Sequence, residues 1–310
     1  MSTDKFKDTA FIDIKGLTHF FENIKETELL KYYLNDDINF ATNDDILSIF
    51  SKAENLEFYF IANEESAIEF NNKLEYSLDD GDWKNWSGNM YLSPNQKIKF
   101  RGELSPNKEN GIGTFKIYGN VSVHGNPRVL LANNKLVDYS FSNLFNNCTG
   151  LTDASELILD STILKPYCYY RMFFICTELT KAPLKLPAKK AATLCYKEMF
   201  MYCINLTKAP EICLNENTTV IENSEEYKSS ELIGCLEYMF ADCSKLNYIK
   251  CHLPSLMYVI MRDSMIVRTI YIASNWVSGV SSTGTFYKKS DANISTGSYG
   301  IPNGWEVIDF

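Results

Sequence analysis

Nine cysteines and three histidines are the side chains of this chain best able to do chemistry, and their spacing limits what they can do. All nine cysteines fall between Cys148 and Cys251. Cys168 and Cys176, Cys195 and Cys203, and Cys235 and Cys243 are each eight residues apart, and Cys251 follows after another eight. A zinc site normally draws on pairs two to four residues apart, and this cysteine spacing offers none. An odd total, with one cysteine per repeated place, suits small buried thiols, with disulfides as the alternative. Free thiols imply folding in a reducing compartment. His19, His124 and His252 lie in different regions, without a spacing-defined serine, cysteine or metal partner, and read as structural or surface residues. Gly111-Ile112-Gly113 lacks the third glycine and following helix of a phosphate loop, so it reads as a turn. Asp79, Asp80 and Asp82 lack a calcium-loop pattern and also read as a turn. The expectation is therefore no catalytic residue, no metal and no cofactor. A carboxylate pair for glycoside hydrolysis stays open, because its spacing exists only in three dimensions.

The cysteines belong to a phrase that occurs four times. Its copies are Leu144-Phe145-x-x-Cys148-x-x-Leu151-x-x-Ala154, Met172-Phe173-x-x-Cys176-x-x-Leu179-x-x-Ala182-Pro183, Met199-Phe200-x-x-Cys203-x-x-Leu206-x-x-Ala209-Pro210 and Met239-Phe240-x-x-Cys243-x-x-Leu246-x-x-Ile249. The cysteines step by 28, 27 and 40 residues. A near-constant step of this size predicts a solenoid whose units cannot bury their apolar faces alone. Apolar residues three and four apart in Cys-Tyr/Leu-x-x-Met-Phe-x-x-Cys predict a short helix in each unit, and Leu-Thr-x-Ala-Pro a short strand. The long third step holds a polar insertion containing Asn215 to Thr219 and Asn223 to Glu226.

The flanks read differently. Residues 1–55 show helical spacing in His19-Phe20-Phe21-x-x-Ile24 and Leu29-Leu30-x-x-Tyr33-Leu34, which predicts a small helical head. From 56 to 138 the period is two, as in Leu56-x-Phe58-x-Phe60 and Leu74-x-Tyr76-x-Leu78, with turn residues between the runs. That pattern predicts an antiparallel β-sandwich-like domain. Repeats occupy 139–255, and 256–310 reads as a C-terminal cap covering the last unit. The fold class expected is thus multidomain α+β: helical N-terminal head, β domain, short leucine-rich-repeat solenoid and cap.

Bulk composition excludes some partners. The 310 residues carry a formal charge of −9, which argues against nucleic acid and anionic membranes. Residues 1–55 hold 11 acidic and 6 basic side chains, a net of −5, which reads as a solvated acidic surface or a dock for a basic partner. No apolar run reaches the roughly 20 residues a bilayer requires, so no membrane insertion is expected. Met1 to Asp8 is polar and charged, and no secretory signal is read there.

The repeats resemble the leucine-rich repeats of the BspA-like family, in which Ala-Phe-x-x-Cys-x-x-Leu leads to a strand and a Leu-Pro turn. Met-Phe replaces Ala-Phe here, and Lys185-Leu186-Pro187-Ala188 matches the closing turn. The longer unit looks like the variant in gut-associated bacteria and their tailed phages. Leu74-Glu75-Tyr76-Ser77-Leu78-Asp79-Asp80-Gly81-Asp82-Trp83 is similar to a strand of the preceding β domain, and Gly300-Ile301-Pro302-Asn303-Gly304-Trp305 to the family's cap. The first and fourth repeats depart from the pattern, lacking Ala-Pro. The resemblance implies a non-enzymatic virion structural protein, a head or tail fibre or decoration, assembled in the host cytoplasm and attaching to a host-surface glycan or protein. A homo-oligomer is expected for reach and avidity. The alternative it implies is a bacterial cell-surface adhesin.

On this reading the head would contact other virion proteins, with Phe11, Ile14, Leu17, Phe20 and Phe21 as the particle anchor. Two surfaces are candidates for partner binding. Period-two alternation turns outward the residues two and four beyond each repeat leucine: Asp153 and Ser155, Lys181 and Pro183, Lys208 and Pro210, Tyr248 and Lys250. The other is the aromatic set Trp83, Trp86 and Tyr91, whose rings suit sugar faces as well as a core.

Overall fold

A computed structural model describes residues 56–214, 220–222, 234–262 and 265–310, which from Glu57 onward form one compact unit. The anchor residues Phe11, Ile14, Leu17, Phe20 and Phe21, with the rest of the head expected over 1–55, lie outside the described residues.

Alternating apolar residues dictate the first half. The strands are β1 (Phe58–Ala62), β2 (Ser66–Phe70), β3 (Glu75–Leu78), β4 (Lys84–Asn85), β5 (Asn89–Leu92), β6 (Lys97–Arg101), β7 (Phe115–Tyr118) and β8 (Val121–Gly125). In β1 and β2 every second residue is buried, as a strand with one core face requires. Strands β5, β2 and β7 form one antiparallel sheet. Its Phe115 stacks on Phe70 at 4.2 Å and meets Phe58, Phe60 and Phe100 of the larger sheet β4-β3-β6-β1-β8, with ring centroids 5.0–6.0 Å apart. The larger sheet gains a sixth strand, β9 (Leu151–Leu157), which pairs parallel to β8.

Beyond β9 the pairing is parallel. Strands β10 (Lys185–Leu186), β11 (Glu211–Ile212), β13 (Tyr248–Cys251), β16 (Thr285–Lys288) and β17 (Glu306–Asp309) form a five-stranded sheet in that order. A separate three-stranded sheet joins β12 (Val220–Glu222), β14 (Met257–Arg262) and β15 (Met265–Tyr271).

The expected α+β class, with its leucine-rich-repeat solenoid of helix-plus-strand units, is overturned. Helical elements among the described residues are two short 3-10 helices, Pro127–Leu130 and Ala132–Asn134, and neither lies in the repeats. The segments that read as helices are chains of tight turns. Every second N–H reaches back three residues, as Cys168, Tyr170 and Met172 do to Lys165, Tyr167 and Tyr169. The intervening N–H groups leave the segment: Tyr169, Arg171 and Phe173 donate to the carbonyls of Cys195, Lys197 and Met199 at 2.8–3.0 Å. An α-helix would send every donor back four residues inside itself. Burial follows a period of four, with Cys168, Tyr169, Met172, Phe173 and Cys176 buried and the pairs between them partly exposed. The conformation places Tyr167, Arg171 and Ile175 at φ of 57°, 53° and 58°. Each such residue costs about 1–2 kcal/mol in an L-chain. The hydrogen bonds to the next copy and the buried rings offset that cost.

The phrase Phe-x-x-Cys now has a physical reason. Phe145, Phe173, Phe200 and Phe240 stack in sequence with centroids 5.1–5.5 Å apart, and Trp276 follows at 6.1 Å. The thiols of Cys176, Cys203 and Cys243 donate to the carbonyls of Phe145, Phe173 and Phe200, and Cys148 donates to Phe115. All nine cysteines are buried and unpaired.

Candidate functional site

Strand alternation decides which side chains of the parallel sheet reach solvent. Ile212 and Cys251 pair in register and are buried, so Glu211 and Lys250 share the opposite face, and Cys213 and His252, each one residue beyond its strand, come beside them, with Cys213 still buried. Lys250 Nζ lies 2.8 Å from Glu211 Oε1, and His252 Nε2 lies 2.7 Å from the same oxygen. The Phe310 ring packs against His252 at 4.9 Å and beneath Lys250 at 4.8 Å. Glu211, Cys213 and His252 each bring a ligand atom within 4.8 Å of the others. Burial raises the Glu211 carboxyl, but hydrogen bonds and charge from Lys250 and His252 outweigh it and bring it down to about 2. Burial pushes the Cys213 thiol up, while the charges of Lys185, Lys189 and Lys250 oppose that shift.

Glu211 therefore gives a pH-dependent contribution to stability. Its folded value of about 2 lies below its ordinary 4.5, so the contribution is full above pH 4.5 and is lost as pH falls toward 2. The side chain is 30% exposed, and solvent screening limits the effect to about 1 kcal/mol. Melting in metal-free buffer should show Glu211→Gln less stable than the parent at pH 7, with the gap closing below pH 4.5. Curves that stay parallel down to about pH 2 would remove the ion pair from the account.

The outward residues named from sequence fall on the same run of parallel pairing. Asp153 and Lys181 form a bridge pair with a 2.7 Å ion pair, in which burial raises the Asp153 carboxyl but bonds from Lys181 and Ser155 lower it overall. Lys208 bridges Tyr248 and stands 4.7 Å over its ring, and Tyr287 of the next strand stacks 5.1 Å from Tyr248. Lys250 joins the Glu211 cluster. Pro183 and Pro210 do not face out, since both are buried. The aromatic trio also divides. Trp86 is a core residue, its Nε1 donating to Phe70 O at 2.8 Å and its ring edge-on to Phe100, so it presents no surface. Trp83 is exposed beneath the Arg101 guanidinium, 4.1 Å from its ring, and Tyr91 is 85% exposed on β5.

A second constellation escaped the sequence. Ser122 and His124 stand two apart on β8, with Oγ 2.8 Å from Nε2, and Glu156 of β9 lies opposite His124. The residue types match those of a hydrolytic triad, but the packing does not. Tyr59 covers one face of the imidazole in a parallel stack at 4.8 Å, and Ser122 is only 9% exposed. The hydroxyl also turns toward the Ile61 carbonyl. A nucleophile must reach a carbonyl carbon, and this hydroxyl is buried between its hydrogen-bond partners. Period-two spacing of Ser122 and His124 on a strand was the signal that would have found the pair.

No family model, curated protein or solved structure matches the chain.

Proposed function

We propose that this is a non-enzymatic attachment protein of a tailed-phage particle, with a bacterial surface adhesin as the alternative. The observation that carries the reading is the outward row of the parallel pairing. Lys208 and Lys250 stand over the rings of Tyr248 and Phe310, and Tyr287 lies beside Tyr248, on a backbone fixed by ladder hydrogen bonds. Flat rings beside cationic donors suit a sugar face bearing acidic or hydroxyl groups. Nine thiols buried without disulfides support folding in a reducing cytosol, where particles assemble. The motif Met-Phe-x-x-Cys-x-x-Leu supports the same reading through its resemblance to the BspA-like variant of gut phages. In this proposal residues 1–55 attach to other virion proteins, and the chain works as a homo-oligomer whose repeated weak sites add avidity.

Quantitative mass spectrometry of purified particles tests it directly. A stoichiometric presence in particles is the expected result. Presence on intact uninfected cells, with absence from particles, would replace the virion reading by the adhesin. Glycan turnover by the purified protein would displace both.

A further inference from the structure

We propose that Glu211, Cys213 and His252 form a zinc site that ties β11 to β13. Its ligands come from two chain segments, so local spacing does not reveal it. Glu211 and Cys213 are two residues apart on an extended chain and so share a face. His252 enters from the neighbouring strand, whose register is set by the Ile212–Cys251 pair and the 2.9 Å bond from His252 N–H to Ile212 O. The ligand atoms already lie within 4.8 Å of one another, and His252 Nε2 is 2.7 Å from Glu211 Oε1. Zinc held at about 2.0–2.3 Å from sulfur, nitrogen and oxygen needs ligand atoms roughly 3.3–3.7 Å apart. Small side-chain rotations supply the difference.

The donor set selects the ion. A thiolate and an imidazole favour zinc over calcium or magnesium, which take oxygen ligands. The carboxylate and thiolate together balance the two charges of the ion. On binding, the Cys213 thiol loses its proton to solvent and its sulfur pair forms the bond to zinc. The His252 hydrogen bond and the Lys250 ion pair to Glu211 give way to metal bonds. Cys213 is almost fully buried while His252 and Glu211 stay partly exposed, so the ion would sit at the surface with its fourth position open to water. Cys213 Sγ lies 3.8 Å from the Glu211 carbonyl, a longer contact than the 2.8–3.1 Å bonds by which Cys148, Cys176, Cys203 and Cys243 donate to backbone carbonyls.

Such a site has a mechanical role. Thirty-eight residues, 214–251, separate Cys213 from His252. A cross-link that closes a loop of this length restricts the unfolded chain and so favours the folded one. The inference is independent of the attachment reading, since it concerns the tie between two strands and not what the outer face binds.

Cobalt and zinc titrations of the chelator-treated full chain test the site. The expected result is one equivalent bound, a thiolate-to-cobalt charge-transfer band in the near ultraviolet, displacement by zinc, and a zinc-dependent rise in Tm. Cys213→Ser should abolish the band and the Tm rise. His252→Gln, a milder surface change, should keep the band but weaken affinity by about tenfold or more. Circular dichroism of both variants without metal checks that they fold. A band that persists in the Cys213→Ser protein, or no saturable binding by the parent, overturns the proposal.

Discussion

Phe200→Ala is expected to cost about 3–5 kcal/mol of folding free energy, a large part of the stability of an ordinary domain. The ring is fully buried between Phe173 at 5.1 Å and Phe240 at 5.5 Å, nearly parallel to both. Removing it deletes two ring contacts and leaves a cavity that the neighbours cannot fill, because the Met199 carbonyl accepts from Phe173 N–H and the Cys203 thiol donates to the Phe173 carbonyl of the adjacent copy. The Phe200 carbonyl, which accepts the Cys243 thiol, is unaffected by the substitution, so the loss reports packing and not the polar ladder. Urea unfolding measures it, with Tyr91→Ala as the comparison. Tyr91 is 85% exposed, and its removal should change stability by no more than about 0.5 kcal/mol. If the two variants differ by less than about 1 kcal/mol, the ring stack is not what holds the copies together.

The ring stack also shows what could be read from sequence. Phe58, Phe60 and Ala62 alternate with polar residues, and their burial follows directly. The outward residues Asp153, Lys181, Lys208, Tyr248 and Lys250 came from the same period-two rule, and they lie where parallel pairing turns them out. The helix reading failed at Cys168, Tyr169, Met172, Phe173 and Cys176 for a reason of period. Over nine residues a repeat of four and a repeat of 3.6 place the same side chains on one face. What separates them is a left-handed residue at every fourth place. Glycine usually marks that conformation, but here Tyr167, Arg171 and Ile175 occupy it, and bulky residues give no such sign. Proline shows the limit of alternation: Pro183 and Pro210 sit at outward places by count, yet are buried. The Glu211, Cys213 and His252 cluster was out of reach altogether. Its members are brought together by the register of two strands, and register between distant segments is not written in local spacing.

Asp160→Ala is expected to cost about 3–5 kcal/mol as well, through the loss of a buried, hydrogen-bonded ion pair and not a cavity. Asp160 and Arg128 are almost fully buried where β8 and β9 end, at the parallel pair joining the phenylalanine-lined sheets to the repeats. Asp160 takes a 2.7 Å hydrogen bond from Asn126 Nδ2 and lies 3.4 Å from Arg128 Nη1, while Arg128 Nε donates to Asn134 O. Removing the carboxylate takes a hydrogen-bonded counter-charge away from a guanidinium held in the interior. Replacing both partners by apolar residues of similar volume, Arg128→Met with Asp160→Leu, should restore most of the loss, because neither charge then needs solvation. The pH dependence runs opposite to that of Glu211. Burial holds the Asp160 carboxyl above its ordinary 3.8, against the pull of Arg128 and Asn126. The folded state therefore favours the protonated carboxyl: that preference is full below pH 3.8 and is lost as pH rises through the raised folded value, so desolvation offsets part of the ion pair at neutral pH. Asp160→Asn keeps the shape and cannot titrate, so its difference from the parent should change with pH over that window. A double variant as unstable as Asp160→Ala, or an asparagine variant whose difference from the parent is flat with pH, would show that the pair does not govern this joint.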